Sequence, residues 1–269
     1  MKALAFKVQK TEKESFKIQV DDLSYFYNRL HQHPELQITL IQEGEGALIV
    51  GDSIGSFSGG ELLLIGSNVP HWFKNDAHYF EKKSKWRARS ISLFFREDSF
   101  GASFFQLPEM TQIKEVFIKA QRGILVKGKD KENIIQQLNY IETLTPVNRL
   151  LALIQMLQQI AESEEWEYLS NITFDPSETF SESDNEIFQY VMDHYHKPIQ
   201  LEKVAQLSNS SVSSFCRNFK LRTQKTFIQF VNEIRIGAAC KLLREKENSI
   251  ATIAYEVGFN NISNFNRQF

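Results

Sequence analysis

Phe215-Cys216-Arg217-Asn218-Phe219 recurs as Phe265-Asn266-Arg267-Gln268-Phe269, 50 positions further along the chain. Each copy follows a short apolar stretch ending near an alanine: Leu201 with Val204-Ala205 before the first, Ile250 with Ile253-Ala254 before the second. Polar turns lie between, Leu207-Ser208-Asn209-Ser210 and Val257-Gly258-Phe259-Asn260. The repeating unit is therefore a helix, a sharp turn and a second helix. A small residue late in the first helix lets the second cross closely, and a polar residue or glycine admits the turn. In each second helix the Phe pair, spaced i, i+4, faces the core, while Ser213 with Arg217, and Ser263 with Arg267, share another face. An arginine there can donate two hydrogen bonds to guanine or one to phosphate. The bland alternative is a pair of packing hairpins. Two copies joined by one long helix, about 226–246, favour DNA, because that helix would set the units about one turn of duplex apart, ~34 Å.

Working outward, Ser183-Asp184-Asn185-Glu186 reads as a capping box opening a helix to about His196, where Lys197-Pro198 stops it. Thr226-Phe227-Ile228-Gln229 reads as a second box, opening a helix through Arg244. The net charge of −2 hides an asymmetry: residues 1–183 carry 20 basic and 25 acidic side chains, residues 184–269 carry 11 and 8. Between Glu202 and Glu233 lie Lys203, Arg217, Lys220, Arg222 and Lys225 and no acidic residue. A solvated basic face would look the same. The motifs decide for phosphate contacts from Lys220, Arg222 and Lys225.

The first hundred residues read as short strands, Leu36–Ile41, Ala47–Val50, Glu61–Ile65 and Ile91–Phe95, separated by Gly-rich turns; this is a barrel or sandwich signature. Residues 109–163 switch to helical period. Ile113, Val116, Phe117 and Ala120 form one stripe, Ile134, Ile135, Leu138 and Ile141 a second, and Leu150, Leu151, Leu153, Ile154, Leu157 and Ile160 a broader third that serves as core or as a dimer seam. The acidic, polar stretch from Glu162 to Ser183 reads as a linker.

Residues from about 184 to the end resemble the DNA-binding domain of AraC/XylS-type transcription regulators, most tellingly in Asn248–Phe259 followed by Ser263-Asn264-Phe265-Asn266-Arg267-Gln268-Phe269. In that family the positions matching Ser213, Arg217, Ser263 and Arg267 face the bases. Two departures stand out. Relatives place an apolar residue where this chain has Ser210, so the first turn is expected to be looser. They also continue past Phe269 with a further helix, so this 269-residue form is expected to bind DNA more weakly than an extended one.

Residues 20–95 are similar to a small cupin barrel, with His31-Gln32-His33-Pro34-Glu35 in its first half and Gly60–Trp72 in its second. The resemblance implies a metal set of His31, His33 and His71, but the carboxylate of that set falls near Gln37, an amide. Three readings stand: a sensing barrel, structural histidines, and a metal-dependent cupin enzyme, an oxygenase or isomerase. Sensing is preferred. The effector pocket is then His33, Glu35, Gln37, His71 and Trp72, which suits a sugar or an organic acid; no cofactor and no resident metal are expected.

The remaining features bound the class. A chain of 269 residues suits two domains, and no apolar run approaches the ~18 residues of a membrane span. Lys7 and Lys10 interrupt the N-terminal apolar run before a signal core forms. Cys216 and Cys240 sit beside apolar neighbours and read as buried thiols of a reduced, cytoplasmic protein. The expected architecture is α+β: a cupin-like sensing and dimerisation domain over 1–163 (barrel about 20–95, helices about 109–163), a linker over 164–183, and an all-α tandem helix-turn-helix over 184–269. The expected protein is a homodimeric, non-enzymatic regulator of transcription that binds double-stranded DNA and a small-molecule effector, away from membranes.

Overall fold

Side-chain alternation decides where each strand of the first half points. The computed structural model describes residues 8, 14–51, 53–163, 165–171, 173–175, 182–223, 225–245 and 248–269. Within them the strands are β1 (Lys17–Leu23), β2 (Leu36–Glu43), β3 (Gly46–Val50), β4 (Ser53–Phe57), β5 (Leu62–Ile65), β6 (His71–Asn75), β7 (Ala88–Phe95), β8 (Ile124–Val126) and β9 (Trp166–Tyr168). They form two antiparallel sheets, ordered β1-β7-β2-β5-β8-β9 and β4-β3-β6. Both faces of the central strands are covered, so β5 reads as an unbroken apolar run, while β2 alternates apolar residues with Gln37 and Thr39.

On β2, Leu36, Ile38 and Leu40 pack outward against helices, while Gln37, Thr39 and Ile41 line the interior. On β7, Ile91, Leu93 and Phe95 join the same outer core, and Ser90, Ser92 and Phe94 point inward. That outer core is closed by α1 (Thr111–Ala120), α2 (Asp130–Tyr140) and α3 (Pro146–Glu162) through the three stripes legible in the sequence. On α3 the broad stripe is mostly core: Leu153, Leu157 and Ile160 are buried and Leu150 and Ile154 partly so, while Leu151 and neighbouring Val147 stay exposed.

The smaller sheet shows its outer face to the C-terminal helices. These are α4 (Glu182–His194), α5 (Leu201–Leu207), α6 (Val212–Thr223), α7 (Phe227–Glu245), α8 (Ile250–Glu256) and α9 (Ile262–Gln268). Ile49 and Trp72 point away from the barrel interior into a core with Ile187, Val191, Phe215, Phe219, Phe230 and Ile234. The rim is polar: Lys74 Nζ lies 3.0 Å from Asp193 Oδ1 and donates to the Met192 carbonyl at 3.3 Å. At another edge Asn171 donates to Ser53 Oγ at 2.9 Å.

Four expectations need correcting. Ile124–Val126, inside the stretch read as helical, is a strand beside β5; Gly123 and Gly128, both at positive φ, isolate three apolar residues too short to show any period. Trp166–Tyr168, read as linker, pairs with β8 as the edge strand, while positions 164, 172 and 176–181 of the linker lie outside the described residues. Ser183 does not cap α4, which already includes Glu182; the Asp184 carboxylate instead takes Arg222 from α6. The Thr226 box does form, with Thr226 N–H on Gln229 Oε1 at 2.8 Å and Gln229 N–H on Thr226 Oγ1 at 3.2 Å. Cys216 and Cys240 are half-buried free thiols, less enclosed than expected.

Candidate nucleic-acid interface and effector cavity

The two helix-turn-helix units turn by the same device. Asn209 (φ 49°) and Gly258 (φ 99°) each stand four residues after the key alanine in a left-handed conformation. The following amide then bonds back to that alanine's carbonyl, Ser210 to Ala205 and Phe259 to Ala254, both at 3.0 Å. Gly258 is required on a second ground, since a Cβ there would lie 2.6 Å from the Tyr195 carbonyl oxygen. The units differ just beyond the turn. Phe215 comes ten positions after Ala205, whereas Phe265 comes eleven after Ala254. In the second unit Phe259 is buried against Phe265, with ring centroids 5.3 Å apart. Half-buried Ser210 holds that place in the first unit and bonds Ser208 Oγ at 2.8 Å.

Phe215, Phe219 and Phe265 are buried as their spacing requires, but Phe269 is 62% exposed and only stacks on Phe265. Ser213 and Arg217 on α6, and Ser263 and Arg267 on α9, are all exposed on the faces opposite those phenylalanines. Arg267 is steadied by the Asn264 side chain at 3.0 Å. Of the three cations read as phosphate contacts, Lys220 is exposed, whereas Arg222 pairs with Asp184 and Lys225 with Glu233 at 2.7 Å. These two pairs tie the end of α6 to α4 and α7. Their carboxylates lie 38 and 8 positions away in sequence, so no charge count along the chain could pair them.

Inside the barrel a cavity of about 520 Å³ is lined by β1, β2, β6, β7 and the 23–31 segment. Its polar wall is Gln19, Asp21, Gln37, Thr39, Ser90 and Ser92, and its apolar wall includes Phe26, Phe73 and Phe94; Tyr25 and Tyr27 also line it and are exposed. No lysine or arginine lines it among the described residues. Of the five residues expected to form the pocket, only Gln37 does so. Trp72 is the clearest correction: it alternates with His71 and Phe73 on β6, and so it points out of the barrel into the helical core. Glu35 contributes its backbone carbonyl to His33 Nδ1 rather than a wall. Thr39, Ser90 and Ser92 were missed, although polar residues at alternate positions of apolar strands were a readable signal.

His33 and His71 sit behind His31, which does reach the cavity. All three are buried, and burial pushes each pKa down, that of His31 to about 3, so the rings are neutral near pH 7. Each Nδ1 faces a carbonyl: Arg29 at 3.0 Å, Glu35 at 3.0 Å and Val69 at 2.8 Å. A carbonyl can only accept, so neutral His31 and His71 carry their proton on Nδ1, whereas His33 faces an acceptor at both ring nitrogens and, when neutral, donates to only one of them. His33 Nε2 lies 3.1 Å from Gln37 Oε1, the Gln37 amide N–H donates to Thr39 Oγ1 at 2.6 Å, and Thr39 meets Ser92 Oγ at 2.9 Å. His71 Nε2 is buried with no hydrogen-bond partner. One donor atom from each ring lies within 4.8 Å of the others. The cluster has the spacing of an imidazole metal set, but it lacks the carboxylate of a complete cupin set and Gln37 Oε1 stands against His33 Nε2.

Among solved structures the chain is similar to ToxT from Vibrio cholerae, 16% identical over 95% of this chain and 94% of that one, with a TM-score of 0.36. Residues 204–269 match the model of a helix-turn-helix domain. The chain is 26% identical over 255 residues to the "Uncharacterized HTH-type transcriptional regulator YdeC" of Bacillus subtilis (strain 168), covering 90% of this chain and 82% of the relative. It is 20% identical to the "HTH-type transcriptional activator RhaS" of Salmonella agona (strain SL483), over 89% and 82%. The chain is a transcription regulator with a helix-turn-helix DNA-binding domain. The match runs over 82% of relatives named as regulators, and the cupin-enzyme alternative is set aside with them. No helix of this regulator, among the described residues, is long and apolar enough to cross a membrane.

Proposed function

We propose that this regulator reads DNA through Ser213 and Arg217 in one major groove and Ser263 and Arg267 in the next, under the control of a small neutral polyhydroxy effector held in the barrel. Lys220 supplies a phosphate contact, while Arg222 and Lys225 brace α6 through Asp184 and Glu233. Exposure of both serine–arginine faces supports the reading role. The cavity wall supports a sugar over an organic acid: hydroxyls, amides and aromatic faces suit a polyol, whereas an anion would find no cation and would meet Asp21. Its volume of about 520 Å³ is ample for a sugar.

The observation that carries effector control is the alternation on β6. Phe73 forms part of the cavity wall, and the next residue back, Trp72, fills the core of the first helix-turn-helix unit. A ligand that shifts Phe73 has one backbone link through which to shift the packing of α4 and α7, and a ligand acts only through a difference in affinity between two such states. Sensing and dimerisation belong to the part ending near Tyr168, and DNA reading to the part from about 182. Exposed Val147 and Leu151 on α3 suit a homodimer seam, and the protein works in the cytoplasm. The test is a thermal-shift screen of neutral sugars and polyols alongside organic acids, repeated with Trp72→Phe. A sugar should raise Tm and change operator affinity, and Trp72→Phe should keep the first effect and weaken the second. No response to any sugar, or a response to acids alone, would overturn the proposal.

A further inference from the structure

Both helix-turn-helix units pack along α7, and position 235 is where one core gives way to the other. Phe230, Val231 and Ile234 belong to the core of the first unit, Ile236 and Ala239 to that of the second. A shared helix fixes how far apart two units lie along its axis, about 1.5 Å per residue, but their mutual rotation only as firmly as its own bending and twisting allow. Fixing that angle takes a lateral contact, and Arg235 makes one. Its Nε donates to the Tyr195 carbonyl at 2.8 Å and its Nη2 to the Lys197 carbonyl at 3.1 Å, both in the turn that follows α4. Its guanidinium carbon also lies 5.8 Å from the ring centroid of Phe259, in the second unit. Gly258 closes the same joint, since a Cβ there would come within 2.6 Å of the Tyr195 carbonyl oxygen and 3.0 Å of Arg235 Nε.

The chemistry of the joint is specific to arginine. Carbonyls at a helix C-terminus carry partial negative charge, and a cation beside them makes charge-assisted hydrogen bonds. A planar guanidinium fork can meet two such carbonyls and still lay a face toward an aromatic ring, whereas the ammonium of lysine is a point charge that cannot do all three. We propose that Arg235 is a positioning residue of DNA recognition: it locks the turn of the second unit against the end of α4, and so sets the spacing between the two operator sub-sites that one chain accepts. The proposal rests on the two-groove reading above, and Arg235 acts in it through the placement of α9 rather than on a base. One added base pair moves the second sub-site about 3.4 Å along the duplex and about 35° around it. A locked pair of units must reject that change, and a loosened pair can follow it.

The full chain first selects its operator from a random duplex library, and the sub-sites are located by the bases at which Arg217→Ala and Arg267→Ala relax preference. Affinity is then measured on that operator and on duplexes with one base pair removed or added between the sub-sites. The wild type should lose about tenfold or more on either change. Arg235→Ala should bind the selected operator more weakly, lose less than about threefold on either change, and keep the same base preferences within each sub-site. Arg235→Lys retains the charge and the stem but not the fork, and should behave like Arg235→Ala rather than like the wild type. Circular dichroism reports whether each variant folds, and Arg235→Lys carries the test if Arg235→Ala does not. Folded variants that reject altered spacing as sharply as the wild type, whatever their affinity, would overturn the proposal and leave the two-groove reading standing. A wild type indifferent to spacing, or one in which Arg267→Ala relaxes no base, would overturn that reading and the proposal with it.

Discussion

The two helix-turn-helix units share a turn and an exposed serine–arginine face but are held in different ways. The first is built around Phe188, Phe215, Phe219, Phe227 and Phe230, and its core runs without a break into the barrel through Ile49, Trp72 and Leu30. The second has a small core of its own, Ala239, Ile253, Ala254, Val257, Phe259 and Phe265, attached along α7. The first unit is thus part of the barrel's packing, whereas the second rests on α7, a few rings and the close approach of Gly258 to the Tyr195 backbone. A shift at the barrel reaches the first unit directly, and the second through α7 and the Tyr195–His196 backbone against which Gly258 packs. Buried apolar area sets how far each unit is committed to its position.

The largest effect should come from breaking the shared core. Trp72→Ala removes a fully buried ring between barrel and helices and should cost about 3–5 kcal/mol, read as a lower midpoint in urea unfolding. Phe265→Ala should cost a similar amount locally but unfold only the second unit. Hydrogen exchange separates the two: the tryptophan variant should lose protection in β3, β6, α4 and α7 together, the phenylalanine variant in α8 and α9 alone. If Phe265→Ala also exposed α4, the contrast between the units would be gone.

Next in size are the exposed residues proposed to read the bases. Arg217→Ala and Arg267→Ala should each lower operator affinity by about 1–3 kcal/mol and relax preference at different base pairs, roughly a turn of duplex apart. Lys220→Ala should weaken all sequences alike and flatten the salt dependence of binding. Competition binding against operator variants checks both. Loss of preference at one shared position would mean that the units do not read separate grooves.

Acid should act on the barrel side of the comparison. The folded pKa of His31 is depressed to about 3 from an ordinary value of 6.5, so the unfolded chain binds more protons between those values. Stability contributed by the neutral ring is complete above pH 6.5 and is lost as pH falls toward 3. By pH 5 the loss for this group is about 2 kcal/mol. Urea midpoints should fall from pH 7 to pH 5, and His31→Gln should flatten the slope. A midpoint constant over that range would show that the histidines are not held neutral by burial.

The helical half was more legible than the barrel, and the reason lies in range. The turn residues, the alanines, the Phe spacing and the exposed serine–arginine faces are all set within a dozen positions, so local pattern suffices. The cavity needs β1, β2, β6 and β7 side by side. Gln37 was within reach because it follows the histidine motif, while Ser90 and Ser92 oppose it only through the pairing of β2 with β7. Trp72 shows the limit most sharply. Its neighbour His71 points inward, and a motif that names consecutive residues carries no information about which face each one takes. Ile124–Val126 and Trp166–Tyr168 are strands because partners from distant segments complete them, not because three residues prefer it.

The smallest expected effect concerns the polar rim of the first unit. Lys74 and Asp193 are 3.0 Å apart but partly exposed, so solvent screens the pair and its net worth should be about 0.5 kcal/mol. A double-mutant cycle with Lys74→Ala and Asp193→Ala isolates that coupling, and the Lys74 bond to the Met192 carbonyl stays in the single-mutant arm because it does not involve Asp193. A coupling near this value means the unit is seated on the barrel by Trp72 and Ile49, with the ion pair setting only its register. A coupling above about 2 kcal/mol would shift the attachment from apolar packing to charge. Operator binding under effector control would then have to weaken with salt even where no phosphate contact is lost.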